Sequence, residues 1–325
     1  MRVLVTGGAG YIGSVMVERL LDVGHDVTVI DSFHRGHRGA VPRDLEVIPC
    51  DLRDAKATRK VVSNCRADAV VHMAALTLVG ESFEKPEEYY LANVIGSFNL
   101  LMAMRHAGIN RMVFSSTAAV YGAPDQLPVQ ETSLTRPINP YGQSKLLVEQ
   151  MLEATAETGE LRYAAPRYFN VAGATRERGE DHSPETHIIP VALSVLLGQR
   201  DHFTVFGTDY DTPDGTAIRD YVHVIDLADA HLLALERLDQ SLGPMNIGTR
   251  EGFSVREIVE SVERVTGKSL PVLFGDRRAG DPPRLVADAT RARDVLGWRP
   301  VHSTLDQMVS SAWAWHQAHP QGYQD

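Results

Sequence analysis

Tyr141 and Lys145 stand four residues apart, the spacing that stacks two side chains on one face of a helix. A phenol titrating near about 10 is a weak base at neutral pH, so a neighbouring ammonium matters. Bringing it to about 7 needs ~4 kcal/mol of preference for the phenolate, at ~1.36 kcal/mol per unit. A lysine ~6 Å away in an effective dielectric of ~20 gives ~2.8 kcal/mol. Far upstream, Gly7-Gly8-Ala9-Gly10-Tyr11-Ile12-Gly13 follows the apolar run Val3-Leu4-Val5. Glycines at a strand-to-helix junction let the backbone turn tightly and approach a pyrophosphate, and the helix N-terminus offers it free amide donors. The two features together point to hydride chemistry on a nicotinamide dinucleotide. Its oxidised ring is a cation that contributes the rest of the stabilisation Tyr141 needs.

These residues need a scaffold, and the first half of the chain supplies a regular alternation. Strands are predicted at Arg2–Thr6, Asp26–Ile30, Leu45–Ile48, Ala69–Met73, Arg111–Ser115 and Leu161–Arg167. Helices are predicted near Ile12–Val23, Asp54–Asn64, Pro86–Ala107 and Gly142–Thr158. That alternation is the pattern of a doubly wound parallel α/β sheet of the Rossmann type. Asp31 ends the second strand, where a carboxylate can accept both hydroxyls of an adenosine ribose and repel a 2′-phosphate. NAD is therefore favoured over NADP, with Arg35 and Arg38 read as a solvated basic loop. The turns Asp51-Leu52 and Met73-Ala74-Ala75 should border the adenine and the phosphates, although a loop aspartate such as Asp51 also suits a helix cap.

After Val171 the rhythm changes. A polar stretch from Gly173 to Thr186 reads as a loop, followed by helices near His187–Leu197, Ile225–Leu238, Val255–Thr266 and Leu305–His319. Short strands are expected near Phe203–Phe206 and Pro244–Ile247. We divide the chain into a dinucleotide-binding domain, 1–172, and a smaller α/β substrate-binding lobe, 173–325, with the segment near 217–240 returning to the first domain. A length of 325 residues allows this. With 32 basic and 42 acidic residues the formal charge is −10, which argues against a nucleic-acid or acidic-membrane surface. Cys50 and Cys65 form neither a metal spacing nor a disulfide framework, so a reducing, cytoplasmic setting is expected. Neither a signal peptide nor a membrane-spanning apolar run is visible.

Several segments resemble the extended short-chain dehydrogenase/reductase family, and within it the branch of nucleotide-sugar 4-epimerases. They are Gly7–Ser14, Val79-Gly80-Glu81-Ser82, Ser115–Gly122, Tyr141-Gly142-Gln143-Ser144-Lys145, Arg167-Tyr168-Phe169-Asn170 and Arg219-Asp220-Tyr221-Val222-His223-Val224, with a similar tail at His319-Pro320-Gln321-Gly322-Tyr323. The glycine loop and the Tyr-x-x-x-Lys pair specify only the superfamily; the other segments narrow it to sugar nucleotides. The resemblance implies interconversion of UDP-glucose and UDP-galactose on bound NAD through a transient 4-keto sugar. It implies that Tyr141 is the general base, that Lys145 binds the nicotinamide ribose, and that Thr117 bonds the reacting hydroxyl. Ser32, Thr77, Asn93, Ser115 and Phe169 join the cofactor site by the same resemblance. Asn170, His187, Ile188, Val205, Phe206, Arg219, Arg278 and Asp281 would hold the nucleotide and its diphosphate, with Leu285 beside the sugar's 2-substituent.

Each assignment has a plainer counterpart. Thr117 could be an ordinary β-branched residue, Arg219 could form an ion pair with Asp220, and His187 could cap its helix. Val15 and Thr77 depart from the histidine and lysine common in the family, and Pro166 is awkward inside a central strand. Ala118 and Ala119 follow Thr117 where family dehydratases and decarboxylases carry acidic residues, so elimination and decarboxylation are disfavoured. The bulk of Leu285 favours glucose and galactose over their N-acetylated forms. The competing classes are a 4-epimerase for another nucleotide sugar and a redox sensor that binds NAD without chemistry; the second typically lacks the tyrosine–lysine pair. By analogy the long helices at Pro86–Ala107 and Gly142–Thr158 pair two subunits into a homodimer.

Overall fold

The computed structural model describes residues 1–277 and 281–324. Strands β1 (Arg2–Thr6), β2 (Asp26–Asp31), β3 (Val47–Pro49), β4 (Ala69–His72), β5 (Arg111–Phe114), β6 (Ser116–Thr117) and β7 (Arg162–Tyr168) occupy the first half. Between them run α1 (Tyr11–Asp22), α2 (Ala55–Cys65), α3 (Val79–Glu84), α4 (Pro86–Tyr89), α5 (Gly96–Ala107) and α6 (Pro140–Glu157). The order across the main sheet is β12-β7-β5-β4-β1-β2-β3, with β6 also beside β7 and β12 contributed by Gly243–Ile247; these pairings are parallel. Strand order reverses between β1 and β4, and a doubly wound sheet opens its ligand crevice at that switch point. Every residue of β4 is buried, as expected of strands covered by helices on both faces.

Local chemistry places the helices. Asp54 caps α2 by accepting from the Lys56 and Ala57 amides, and Asn139 caps α6 by accepting from Gly142 N at 2.7 Å, with Pro140 in the first turn. The segment expected as one helix, Pro86–Ala107, is α4, a wider π-helical turn at Tyr90–Ile95, and α5. Asn93 sits in that turn, its amide bonded to both N and O of Leu76 at 2.8 and 3.0 Å. Such side-chain bonding to a distant loop leaves no trace in hydrophobic period.

The second half continues with β8 (Asn170–Ala172), α7 (Ile188–Leu196), β9 (Phe203–Phe206), β10 (Ile218–Arg219), β11 (Tyr221–His223), α8 (Val224–Glu236), β12, β13 (Phe253–Ser254), α9 (Val255–Thr266), β14 (Val272–Gly275), β15 (Arg284–Leu285), α10 (Thr290–Leu296) and α11 (Leu305–Ala318). Helices α7, α9 and α11 share a core through Leu193, Ile258 and Met308. Helix α8 packs on α1, where Arg19 Nε donates to Asp229 at 2.8 Å, and its Leu227 and Leu235 join the core of the main sheet. Strand β12, which position in the chain assigns to the smaller lobe, instead extends the main sheet beside β7, because Met245 and Ile247 are buried in the same core. Pro166 finds its explanation here. β7 leaves β5 at the pair Val113–Ala164 and takes up β6 at Ser116–Arg167, so the missing N–H falls in the interval between two partners.

Candidate active site

The carboxyl ends of β1, β2, β4 and β6 and the loops after them line one deep cleft. It encloses about 350 Å³, within the ~300–1,000 Å³ range of small-molecule sites. Gly7, Gly10, Tyr11, Ile12, Gly13, Asp31, Ser32, Asp51, Leu52, Met73, Ala74, Ala75 and Thr77 line it at one end. Ser115, Thr117, Tyr141, Phe169 and Asn170 line it at the other, and His187 lines the wall beside His182, near Tyr11.

The glycine loop is built for close approach. Gly7 has φ +72°, and a Cβ there would stand 2.5 Å from Ala74 N; a Cβ on Gly13 would stand 2.0 Å from Gly7 O. Asp31 accepts from Ala9 N at 2.9 Å and Phe33 N at 2.8 Å, which holds its carboxylate at the cleft wall. Burial raises its pKa, and these backbone bonds oppose the rise. The two nearby arginines are not the solvated loop expected. Arg35 donates to both oxygens of Glu81 at 2.8 Å, and Arg38 donates to the carbonyls of Val41, Pro42, Arg43 and Leu45. Both guanidinium groups are engaged by protein acceptors. Asp51 is not a cap either, since Asp54 holds that place and Asp51 pairs with Arg53.

At the other end the predicted spacing is realised on α6. Tyr141 and Lys145 are both buried. The Lys145 Nζ donates to Ser115 O at 2.8 Å and lies 4.8 Å from the centre of the Phe114 ring, behind the residues that line the cleft. Burial brings the Lys145 ammonium down to about 7, opposed by the charge of Glu149. It also raises the Tyr141 phenol well above its ordinary value, with Tyr168 adding to the rise and a hydrogen bond with Thr117 opposing it. Protein groups by themselves therefore leave Tyr141 a poor base, as the sum of charges in the sequence implies. Thr117 also accepts from Ala119 N at 3.1 Å, which fixes the hydroxyl at the start of a 3₁₀ turn. Asn93 departs from its expected role. Its amide is spent on Leu76 and on the Ser144 hydroxyl, so it shapes the loop that borders the cleft rather than lining it.

His187 sits at the head of α7 but makes no capping bond. Its Nδ1 stands 2.7 Å from Glu180 Oε1 and 2.9 Å from Glu185 Oε1, while His182 Nδ1 is 3.1 Å from the same Glu180 oxygen. Glu180 is buried, yet the two imidazoles bring its carboxyl down to about 2, and it holds the His187 imidazole well above its ordinary value. The result is an imidazole–carboxylate cluster at the cleft wall. These four side chains are the group among the described residues whose donor atoms could surround a metal ion. Glu180 and His182 line the cleft without any motif that assigns them there, signalled only by the polarity of the Gly173–Thr186 loop, and Tyr168 lines it from within the Arg167–Asn170 segment without a role of its own in the sequence reading. The tail fastens that loop, with Tyr323 N donating to Asp181 at 2.9 Å and Tyr323 Oη meeting Gly179 N and O.

The remaining predicted residues gather in the smaller lobe, outside the cleft lining. Arg219 pairs with Asp281, whereas Asp220 accepts from Thr249, Arg250 and Ala287, so an Arg219–Asp220 pair does not form. Beside Arg219 and Asp281 lies Tyr210, whose buried hydroxyl has no hydrogen-bond partner among the described residues and whose ring carries the Arg277 guanidinium at 4.4 Å. Val205 is buried on β9, Phe206 is partly exposed, and Ile188 opens α7. Leu285 lies opposite Arg219 in the β10–β15 register and packs with Phe169 on the Ala118, Val120 and Leu146 cluster. Arg278 lies outside the described residues.

The profile of the NAD dependent epimerase/dehydratase family matches residues 3–248. A UDP-glucose 4-epimerase from Lactobacillus helveticus is 47% identical over 329 residues, covering 100% of each chain. A crystal structure of UDP-glucose 4-epimerase superposes with a TM-score of 0.98 at 46% identity, again over 100% of both chains. The UDP-glucose 4-epimerase of Brucella ovis in complex with NAD gives a TM-score of 0.93 at 46% identity, over 96% of this chain and 97% of that one. With the cleft, the paired Tyr141 and Lys145 and these full-length likenesses in hand, the chain belongs to the NAD dependent epimerase/dehydratase family.

Proposed function

We propose that this chain is a NAD-dependent 4-epimerase that interconverts UDP-glucose and UDP-galactose through a transient 4-keto sugar. One observation carries the reading: Thr117, Tyr141 and a buried Lys145 converge at the end of a cleft whose other end is a glycine cradle, in a chain similar over its full length to UDP-glucose 4-epimerases. The cradle fits NAD. Gly7 and Gly13 let the loop, the Ala74 backbone and α1 close up where any Cβ would clash, the α1 N-terminus lines the cleft, and Asp31 presents an anion. When bound, NAD supplies the hydride acceptor and donor. Tyr141 takes the proton from the sugar 4-hydroxyl and later returns it, with Thr117 hydrogen-bonding the same oxygen. Lys145 holds positive charge beside the phenolate. Asn170 and His187 at the cleft wall, with Arg219 in the smaller lobe, suit a diphosphate and its nucleoside, leaving the hexose free to present either face. The division into residues 1–172 and 173–325, with α8 and β12 returned to the main sheet, belongs to this reading.

Incubating the purified protein with UDP-galactose should yield UDP-glucose without net consumption of NAD. Recovery of unchanged UDP-galactose, with UDP-N-acetylgalactosamine converted instead, would overturn the substrate assignment. Replacing Asp31 with alanine should weaken NAD binding by about 10–100-fold in titration calorimetry, since hydrogen bonds to a charged group contribute ~1.5–3 kcal/mol.

The reading includes a homodimer. Val79, Phe83, Leu91, Ile95, Phe98 and Met102 form an exposed apolar strip running from α3 to α5, the kind of face a second subunit covers. Phe98→Glu should convert a dimer to a monomer in light scattering; a wild-type protein that scatters as a monomer removes the strip as an interface. Among the described residues no helix is long and apolar enough to cross a membrane, and both cysteines are free, which supports a cytoplasmic setting.

A further inference from the structure

Glu149 completes a row on α6. Tyr141, Lys145 and Glu149 follow one another at steps of four and share a face. The Glu149 carboxylate is 3% exposed. Its Oε1 accepts from the Ser116 hydroxyl and from Arg167 Nε at 2.9 Å, while Oε2 accepts from Arg167 Nη2. Arg167 in turn donates to Tyr121 Oη at 2.9 Å, and Tyr121 donates to Asn246 Oδ1 at 2.7 Å. Ser116 lies between two residues of the site. The Ser115 carbonyl accepts from Lys145, and the Thr117 hydroxyl meets Tyr141. One carboxylate therefore joins the helix that bears Tyr141 and Lys145 to the short strand that bears Thr117.

A buried ion pair is weak evidence for stability, because apolar side chains of similar volume often serve as well or better. The placement of this one speaks for another use. Lys145 faces Glu149 from its own helix, His72 from β4, His231 from α8 and the Phe114 ring from β5. His72 is held between the Thr6 and Ser97 hydroxyls, and His231 bonds the Leu227 carbonyl; burial keeps both imidazoles neutral at physiological pH, at about 3 and about 4. Glu149 is thus the anion facing Lys145 among the described residues.

We propose that Glu149 is a positioning residue for the epimerisation: it clamps Ser116 and Arg167 so that Thr117 keeps its place against Tyr141, and it supplies the anionic charge that faces Lys145. The inference rests on Tyr141 and Lys145 being the acid–base pair, and its two halves separate by mutation. Ser116→Ala removes the clamp to the strand and leaves every charge in place. Glu149→Gln alone strands a buried Arg167 charge and endangers the fold, so the charge is tested in Glu149→Gln/Arg167→Met, which removes both ions together.

The experiment measures kcat and KM for UDP-galactose with the NAD-loaded enzyme across pH, and follows Lys145 by the ¹³Cε shift of labelled lysine. Ser116→Ala should lower kcat about tenfold with KM within about twofold and the alkaline limb unmoved, as misplacement by a fraction of an ångström predicts. The double variant should lower kcat further. It should also move both the alkaline limb and the Lys145 titration to lower pH by about one unit, because the nearby Glu149 charge is what opposes the lowering of the lysine by burial. Wild-type kcat in Ser116→Ala overturns the clamp. An unmoved Lys145 titration in the double variant overturns the electrostatic half. A wild-type protein inert toward UDP-galactose would instead overturn the proposed function, while the lysine titration would still decide the charge effect.

Discussion

Replacing Tyr141 with phenylalanine lowers kcat for UDP-galactose by about 10³-fold and leaves KM within a few-fold of wild type. The ring is buried, so phenylalanine keeps the packing and removes only the hydroxyl. A positioned general acid–base contributes roughly 10²–10⁴-fold, and a group used only in the transition state is lost from kcat rather than from binding. The wild-type profile should rise with pH as the phenol ionises, because burial raises its pKa and a cationic ring beside it must bring that pKa back. The phenylalanine variant should show no such rise. A variant that turns over at wild-type speed would leave Tyr141 without a catalytic role, and some other group would have to take the proton.

Lys145→Met should be nearly as damaging to turnover, yet should make the protein more stable at neutral pH. At the ~6 Å that spacing of four predicts, an ammonium gives a phenolate ~2.8 kcal/mol, so its loss should cost about 100-fold in kcat. Stability moves the other way because burial lowers the lysine to about 7 in the folded protein, against 10.5 as its ordinary value. Below about pH 7 both folded and unfolded chains carry the proton, and the full penalty of a buried ammonium is present. Between about 7 and 10.5 the unfolded chain binds the proton more tightly, so wild-type stability rises with pH. Methionine fills the same space without charge and removes this contribution. Thermal denaturation at pH 6 and pH 9 should therefore show the variant more stable than wild type, with the larger gain at pH 6. Equal loss of activity and of melting temperature would mean that Lys145 is a structural strut.

The two variants act on a site that is partly legible in the amino-acid sequence. The Tyr141–Lys145 spacing, the glycine loop and Asp31 at the end of β2 are arrangements of near neighbours in the chain. Helical and strand periods convert such separations directly into geometry. The same holds for the alternation that produces the main sheet, whereas Thr117 is singled out only by the family resemblance and stands on the separate short strand β6. Arg35 and Arg38 look solvated in the sequence because their partners, Glu81 and a set of loop carbonyls, depend on how the loops fold back. Asn93 stands in a segment that reads as an uninterrupted helix, and its bond to Leu76 changes both the helix and the residue's role.

Residue type and spacing alone determined which side chains could move a proton and which backbone could cradle a pyrophosphate, since each lies within one or two turns of chain. Tertiary structure alone decided that Glu180 would pair with His187 and raise its pKa, that Glu149 would bind Ser116 and Arg167, and that β12 would complete the main sheet. It also decided that Arg219 would find Asp281 rather than its neighbour. The physical reason is range. A helix or strand repeats its own geometry every few residues, whereas burial and the pairing of charges depend on segments that meet only when the chain has folded.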